Sequence, residues 1–357
     1  MKHYHVTVIP QSSLFLGRDR SNRVVRHSFH YIPASTIGGA LNTHFYQTGW
    51  DKGLAGHFRF GNLYPAVDKR DESVWLPAPR NLYYCPTCRA GHLIEDFRPE
   101  RALDELICSK NGCSGLRRPE RGVVEARLSG DLFEVRPDRR KATPPEAGAL
   151  TVGRTELHRT TAAHVDGRLH MVELLRARDV PFHGDVWVDD AATNVIHPGA
   201  TFRLSIGGLR SRGCGRVALH IGDETTAPST GDTLLLAETP LLSLPDGMTA
   251  TPTLRATIAT PYARVAVSER WAAKPLQSGK GLVSFLDTLA VGSAFTAPGN
   301  VVLGERMFFY RLNGQTLELY AFDRAACAGH DYDADYDFAD LWTLGYGRVR
   351  RLRKQPV

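Results

Sequence analysis

Residues 2–9, KHYHVTVI, alternate loosely between apolar and polar side chains and are rich in β-formers, which predicts a first strand. SSLFLGRDRSNR follows as a loop or bent second segment carrying Arg18, Arg20 and Arg23. YIPASTIGGALNTHFYQ reads as a strand end, a proline turn and a helix. Ser35 or Thr36 can cap that helix, and Ile37, Ala40, Leu41 and Phe45 fall on one face of it. Gly38 and Gly39 are poor helix formers, and their presence predicts close approach by another backbone or a ligand.

Residues 82–120 read as an insertion with four cysteines, and residues 136–149, RPDRRKATPPEAGA, as a polar, mobile loop. Strand and helix patterns return over 150–222. HIGDETTAPSTGD, at 220–232, is the best linker, and TLLLAETPLL beyond it opens a second β-rich unit. The chain thus divides into residues 1–222 and 231–357. An echo supports the division: GGLRSRGCGRV, Gly207–Val217, closes the first part, and GYGRVRRLR, Gly345–Arg353, closes the second. Both contain Gly-x-Gly-Arg-Val, which suggests a duplicated plan whose first copy is enlarged by insertions.

Charge sharpens the picture. The 357 residues carry a formal net charge of +6, and 36 of the 44 Lys and Arg residues are Arg. Arg presents a planar fork that suits phosphate and stacks on bases, so the bias fits a nucleic-acid partner; a GC-rich genome gives the same bias. Apolar runs fall far short of the ~20 residues that span a bilayer, and MKHYHVTVIP lacks a signal-peptide core, so the expectation is a cytoplasmic protein with no membrane contact.

Cys85-x-x-Cys88 and Cys108-x4-Cys113 are two chelating pairs, and four thiolates complete a tetrahedral zinc site with no open position, hence a structural Zn2+. The glycine loops contain neither a P-loop pattern nor a dinucleotide fingerprint. What remains is pliable backbone flanked by Arg210, Arg212 and Arg216, suited to phosphate contact, with Gly208, Gly213 and Gly215 allowing close approach. Arg348 and Arg350 repeat the arrangement near the end, where a plain basic tail is the competing reading. His3, His5, His27, His30 and His44 cluster early, but nothing in the sequence pairs any of them with an acid–base partner. Asp51 is likewise a lone carboxylate, and the five aspartates of DYDADYDFAD lack the ligand order of a calcium loop.

Several of these segments resemble the CRISPR-associated RAMP superfamily. YIPASTIGGAL resembles its proline–serine–glycine helix start, and IGGLRSRGCGRV resembles its defining glycine-rich loop. RLHMVELLRARDVPFHGDVWV is similar to the family's strand and helix before that loop, and VGSAF and GYGRV are similar to its second half. FGNLYPA with WLPAP, the cysteine pairs and the two loops together resemble one branch, the Csx-ten family of type III-D effector complexes. Ala34 stands where the family commonly has Gly, and Cys214 where it often has an aromatic residue. The resemblance implies an α+β protein of two ferredoxin-like, RRM-like domains with a zinc-knuckle insertion in the first. It implies a non-catalytic subunit that binds guide RNA (crRNA) and caps its 5′ repeat-derived handle. Ser35 and Gly38 join the loop residues as expected RNA contacts. The implied partners are a polymerase-like large subunit and backbone RAMP subunits. Two nuclease readings compete: a backbone subunit cutting target RNA with a loop aspartate and a divalent ion, and a metal-independent precursor endonuclease using an N-terminal histidine.

Overall fold

The computed structural model describes residues 1–17, 25–26, 28–49, 54, 56–67, 73–85, 87, 91–93, 108, 116–117, 123–136, 149–154, 170–175, 180–225, 234–258, 264–265, 288–297, 301–313, 316–331 and 337–354. Over these residues the protein is mostly β, in several sheets. The α-helices among them are Ala34–Gln47, Arg324–Cys327 and Phe338–Thr343, and none is long and apolar enough to cross a membrane.

The first sheet is built around the expected first strand, which runs Lys2–Pro10. It pairs antiparallel with Phe182–Val188 on one side and Arg216–Glu224 on the other. Phe58–Phe60 extends the sheet beyond Phe182–Val188, and Thr201–Ser205 extends it beyond Arg216–Glu224. The two-residue alternation of a strand sends Tyr4, Val6 and Val8 to one face and His3, His5 and Thr7 to the other. The helix Ala34–Gln47 covers the apolar face. Ile37, Leu41 and Phe45 are buried as the periodicity predicts, with Phe45 edge-on to Phe58 and Phe202. Full burial of such side chains contributes about 1.5–3 kcal/mol each.

The second sheet has twelve strands. Within it Leu234–Ala237 is flanked by Ala294–Thr296 and Val349–Lys354, with Leu254–Ile258 beyond Ala294–Thr296. In both sheets four strands stand in the spatial order fourth, first, third, second of their chain order. The fourth strand in each case emerges from Gly-x-Gly-Arg-Val and pairs with the first. The sequence echo therefore marks equivalent positions in two related sheets.

Two features depart from the sequence expectation. Strands Ser73–Pro77, Val123–Ser129 and Leu132–Val135 precede residue 222 yet belong to the second sheet, where Leu132–Val135 pairs parallel with Val349–Lys354. Helix content is also lower than an α+β plan requires. Between the third and fourth strands of the first sheet, where a ferredoxin-like plan has its second helix, stand a 3-10 turn, Asp190–Ala192, and the edge strand Thr201–Ser205, and RLHMVELLRARDVPFHGDVWV, similar in sequence to a strand and helix, holds the strands His170–Leu175 and Phe182–Val188. The short apolar spacings around 190–206 do not make a helical stripe long enough to bury against the sheet.

Candidate nucleic-acid interface

The first glycine loop connects Thr201–Ser205 to Arg216–Glu224. It closes on itself through Ile206 N–H donating to the Gly215 carbonyl at 2.9 Å. Gly207, Gly213 and Gly215 have φ of 68°, 81° and 87°. A Cβ on Gly207 would lie 2.3 Å from the Phe15 carbonyl oxygen, and one on Gly215 2.2 Å from that of Ile206. Both the left-handed backbone and the close contact thus demand glycine. Gly208 has a packing role, since a Cβ there would meet the Phe15 ring at 2.8 Å. Leu209, at φ 58°, is the one non-glycine residue with positive φ among the described residues. That conformation costs about 1–2 kcal/mol, offset by packing in a small cluster with Phe15, Leu174 and Cys214.

The loop tip is a 3-10 turn, Arg210–Arg212. Arg210 and Arg216 are exposed and have no carboxylate partner among the described residues. The backbone of Arg212 lies in the tip; its side chain is outside the described residues. Residues 11–16 anchor the loop. Gln11 N–H donates to the Arg216 carbonyl at 2.8 Å, Arg216 N–H to Ser12 Oγ at 2.9 Å, and Gly208 N–H to the Phe15 carbonyl at 2.9 Å. Gly17 then bridges to Ser28. The intervening Arg18, Arg20 and Arg23 lie outside the described residues.

The second glycine loop is built alike but placed differently. Gly345 and Gly347 have φ of 80° and 69°, and Cβ atoms on them would lie 2.6 Å from Ala34 Cβ and from the Phe308 carbonyl oxygen. This loop packs against the start of the helix Ala34–Gln47. Together they line a small cleft with Tyr31, Ser35, Asn62, Thr239 and Tyr346 in its wall. Neither Ser35 nor Thr36 caps the helix. Pro33 occupies the cap position, and the Ala34 N–H is satisfied from outside by Asn62 Oδ1 at 3.0 Å. Asn62 Nδ2 in turn donates to the Glu238 carbonyl at 2.8 Å. Gly38 is buried, and a Cβ there would meet the Thr343 carbonyl oxygen at 3.6 Å. Its neighbour is therefore the protein's own second part.

Arg348 and Arg350, expected on an RNA surface, are buried in an ion network between the two sheets. Arg348 makes a bidentate pair with Asp185, 2.7 and 2.8 Å from the two oxygens, and stacks 3.9 Å over the Trp187 ring. Its Nε lies 2.8 Å from Glu238 Oε2 without the alignment of a hydrogen bond. Arg350 donates to Glu238 at 2.6 Å, to Asp185 at 2.7 Å and to the Gly130 carbonyl. His3, stacked on Trp187, shares a 3.0 Å hydrogen bond with Asp185. Burial alone raises the Asp185 pKa, but the charges of Arg348 and Arg350 and the His3 hydrogen bond hold it well below the usual carboxylate range. The Arg350 guanidinium is disfavoured by burial and more than rescued by Asp185 and Glu238. Arg59 completes the layer on the Glu305 and Tyr346 carbonyls. Burial, then the charge of Arg348, lowers its pKa to about 9. Guanidiniums buried and paired inside the protein cannot also reach a phosphate.

Sequence reasoning missed Asp185 and Glu238, although each is an acid inside an apolar strand context, FHGDVWV and LLLAETP. Such an acid demands a buried cation, and VRRLR supplied one.

For the metal, Cys85 directly follows the strand Leu82–Tyr84, which pairs with Gly91–Leu93. Tyr84 also bridges to Arg117, just beyond the second pair. Cys85 and Cys108 are fully buried and form no disulfide. Cys88 and Cys113 lie outside the described residues. Among the described residues no group of three or more metal-ligating side chains comes together.

No family model and no curated protein matches the chain. Solved structures do show likenesses. One chain of a type III-B Cmr-beta complex bound to cognate target RNA is similar at 11% identity and a TM-score of 0.45, covering 82% of this chain and 86% of that one. Oligomeric Cmr4 from Pyrococcus furiosus gives 15% identity and a TM-score of 0.29, covering 63% and 100%. A chain of a type IV-B CRISPR complex gives 14% identity and 0.28, covering 64% and 93%.

Proposed function

We propose that this protein is a guide-RNA-binding subunit of a type III-like CRISPR effector complex. It holds RNA phosphates with the first glycine loop and caps the 5′ repeat-derived handle. The observation that carries the reading is the contrast between the two equivalent loops. The second is spent inside the protein, its arginines consumed by Asp185 and Glu238. The first keeps the same backbone but leaves Arg210 and Arg216 exposed, without carboxylate partners among the described residues. Pliable backbone beside uncompensated guanidinium is what a polyanion needs. The strand order fourth–first–third–second, found twice, is that of the ferredoxin-like unit the sequence resemblance implies.

In this reading the protein is not a nuclease. His3 is taken up by Asp185, His44 sits edge-on to Phe202, and His27 and Asp51 lie outside the described residues. Cys85, Cys88, Cys108 and Cys113 hold a structural zinc, which supplies folding free energy to residues 82–120. A polymerase-like large subunit and backbone subunits are the partners.

The test is guide-RNA affinity of the purified chain across a salt series. Arg210→Ala and Arg216→Ala should each weaken binding and flatten the slope of log K against log salt by about 0.7. Sequence preference should not change, because phosphates carry none. Unchanged affinity and slope in the double variant would mean that the loop is only a turn.

A further inference from the structure

The face of the first sheet opposite the helix is polar: Arg348 and Arg350 meet it at Asp185 and Trp187, and beside them runs the row Thr201, His220, Thr7 and His183. We infer that this face is a stacking platform for single-stranded RNA, with His5, His183 and His220 against the bases and Arg203 and Arg216 on the phosphates. The inference rests on the proposed function, because the glycine loop leads directly into the strand Arg216–Glu224, which lies beside the central strand Lys2–Pro10 on this face.

The register places the residues together. Thr7 stands opposite His183 on one neighbouring strand and opposite His220 on the other, and His220 stands opposite Thr201. Thr7 Oγ1 is 3.2 Å from His183 Nδ1, and Thr201 Oγ1 is 3.0 Å from His220 Nδ1, so each ring is held by a hydroxyl. The rings of His5 and His183 stack with centroids 5.3 Å apart and planes 29° off parallel. Gly222 packs closely against His5, since a Cβ there would lie 3.2 Å from the His5 carbonyl oxygen and 3.5 Å from its Nδ1. Toward the glycine loop, Arg203 pairs across from Ala218 and Arg216 from Ser205, and both arginines are exposed.

Charge and composition choose the occupant. Among the described strands of this sheet the carboxylates are Asp185, Asp223 and Glu224. Asp185 is consumed by Arg348, Arg350 and His3, while Asp223 and Glu224 lie at the end of their strand away from the glycine loop. The large apolar side chain exposed on this face is Ile9. A protein partner would want an apolar centre, which is missing. Planar rings beside uncompensated Arg match unstacked bases and phosphates, whereas a duplex hides its base faces.

The experiment uses the full chain and a fluorescent oligouridylate of about a dozen nucleotides. His5→Ala, His183→Ala and His220→Ala should each weaken binding by about tenfold, and Phe at the same positions should restore it. Arg203→Ala should reduce the salt slope by about 0.7. If Arg210→Ala and Arg216→Ala weaken binding while the histidine and Arg203 variants do not, the platform is wrong and the loop reading stands. If the wild-type chain does not retain the oligonucleotide at low salt, both fall. Ultraviolet cross-linking of the wild-type chain decides the matter even where a variant fails to fold. Cross-links within 2–10, 182–188 and 216–224 support the platform, and cross-links confined elsewhere overturn it.

Discussion

Asp185→Asn tests how the two sheets are held together. The carboxylate receives both terminal nitrogens of Arg348, one of Arg350 and the His3 ring, all between 2.7 and 3.0 Å. Asn keeps the shape but removes the charge, leaving Glu238, among the described residues, as the carboxylate that pairs with both buried guanidiniums. Breaking a buried pair by removing one partner costs about 3–5 kcal/mol, because the orphaned charge stays desolvated. Unfolding entropy scales as ~2.1 cal/mol/K per residue. Over the 357 residues that is about 0.75 kcal/mol/K, so the melting temperature should fall by about 4–7 °C at neutral pH. The sign with pH follows from the depressed native pKa. The unfolded chain, titrating near ~3.9, binds more protons than the native one, so stability rises with pH in that range. The contribution is complete above the unfolded value and is lost as pH falls through the native one. The gap between wild type and Asp185→Asn in urea melts should therefore be full at pH ~7 and narrow below pH ~4. A fall of less than about 1 °C, or a gap that does not shrink in acid, would show that Arg348 and Arg350 are not paired there and return them to the list of RNA contacts.

Three further outcomes are expected. Gly347→Val, which brings a Cβ onto the Phe308 carbonyl oxygen in a left-handed backbone, should destabilise the chain by several degrees in a thermal melt, whereas Gly213→Ala, with open space around it, should cost only the φ strain of about 1 kcal/mol. Elemental analysis should find one zinc per chain, and Cys85→Ser with Cys108→Ser should release it and expose 82–120 to protease; zinc-free protein with those residues still protected would remove the metal from the account. Labelled repeat RNA incubated with the chain, with and without Mg2+, should stay intact; specific cleavage that disappears in Asp51→Ala or His30→Ala would promote a nuclease reading.

The sequence by itself determined what depends on local period and local stereochemistry. Alternation over KHYHVTVI sufficed for the first strand, because one face had a core to meet. The spacing of Ile37, Leu41 and Phe45 sufficed for the helix. The repeated Gly-x-Gly-Arg-Val sufficed to mark two equivalent turns, because its left-handed residues favour glycine and Gly215, Gly345 and Gly347, in close contact as well, admit nothing else. Tertiary structure alone decided where each turn faces. Arg216 and Arg348 occupy the same place in the same motif, yet one is exposed and the other buried. The difference is made by Asp185 and Glu238, which lie more than one hundred residues before the arginines they neutralise. No local signal reports whether a cation will meet a carboxylate brought from that distance. The same holds for the helix start, capped by Asn62 from outside, and for Leu132–Val135, which crosses into the second sheet. It also holds for His5, His183 and His220, which only the sheet register gathers into one row, because strand pairing, unlike a turn or a helix stripe, joins residues without regard to their separation along the chain.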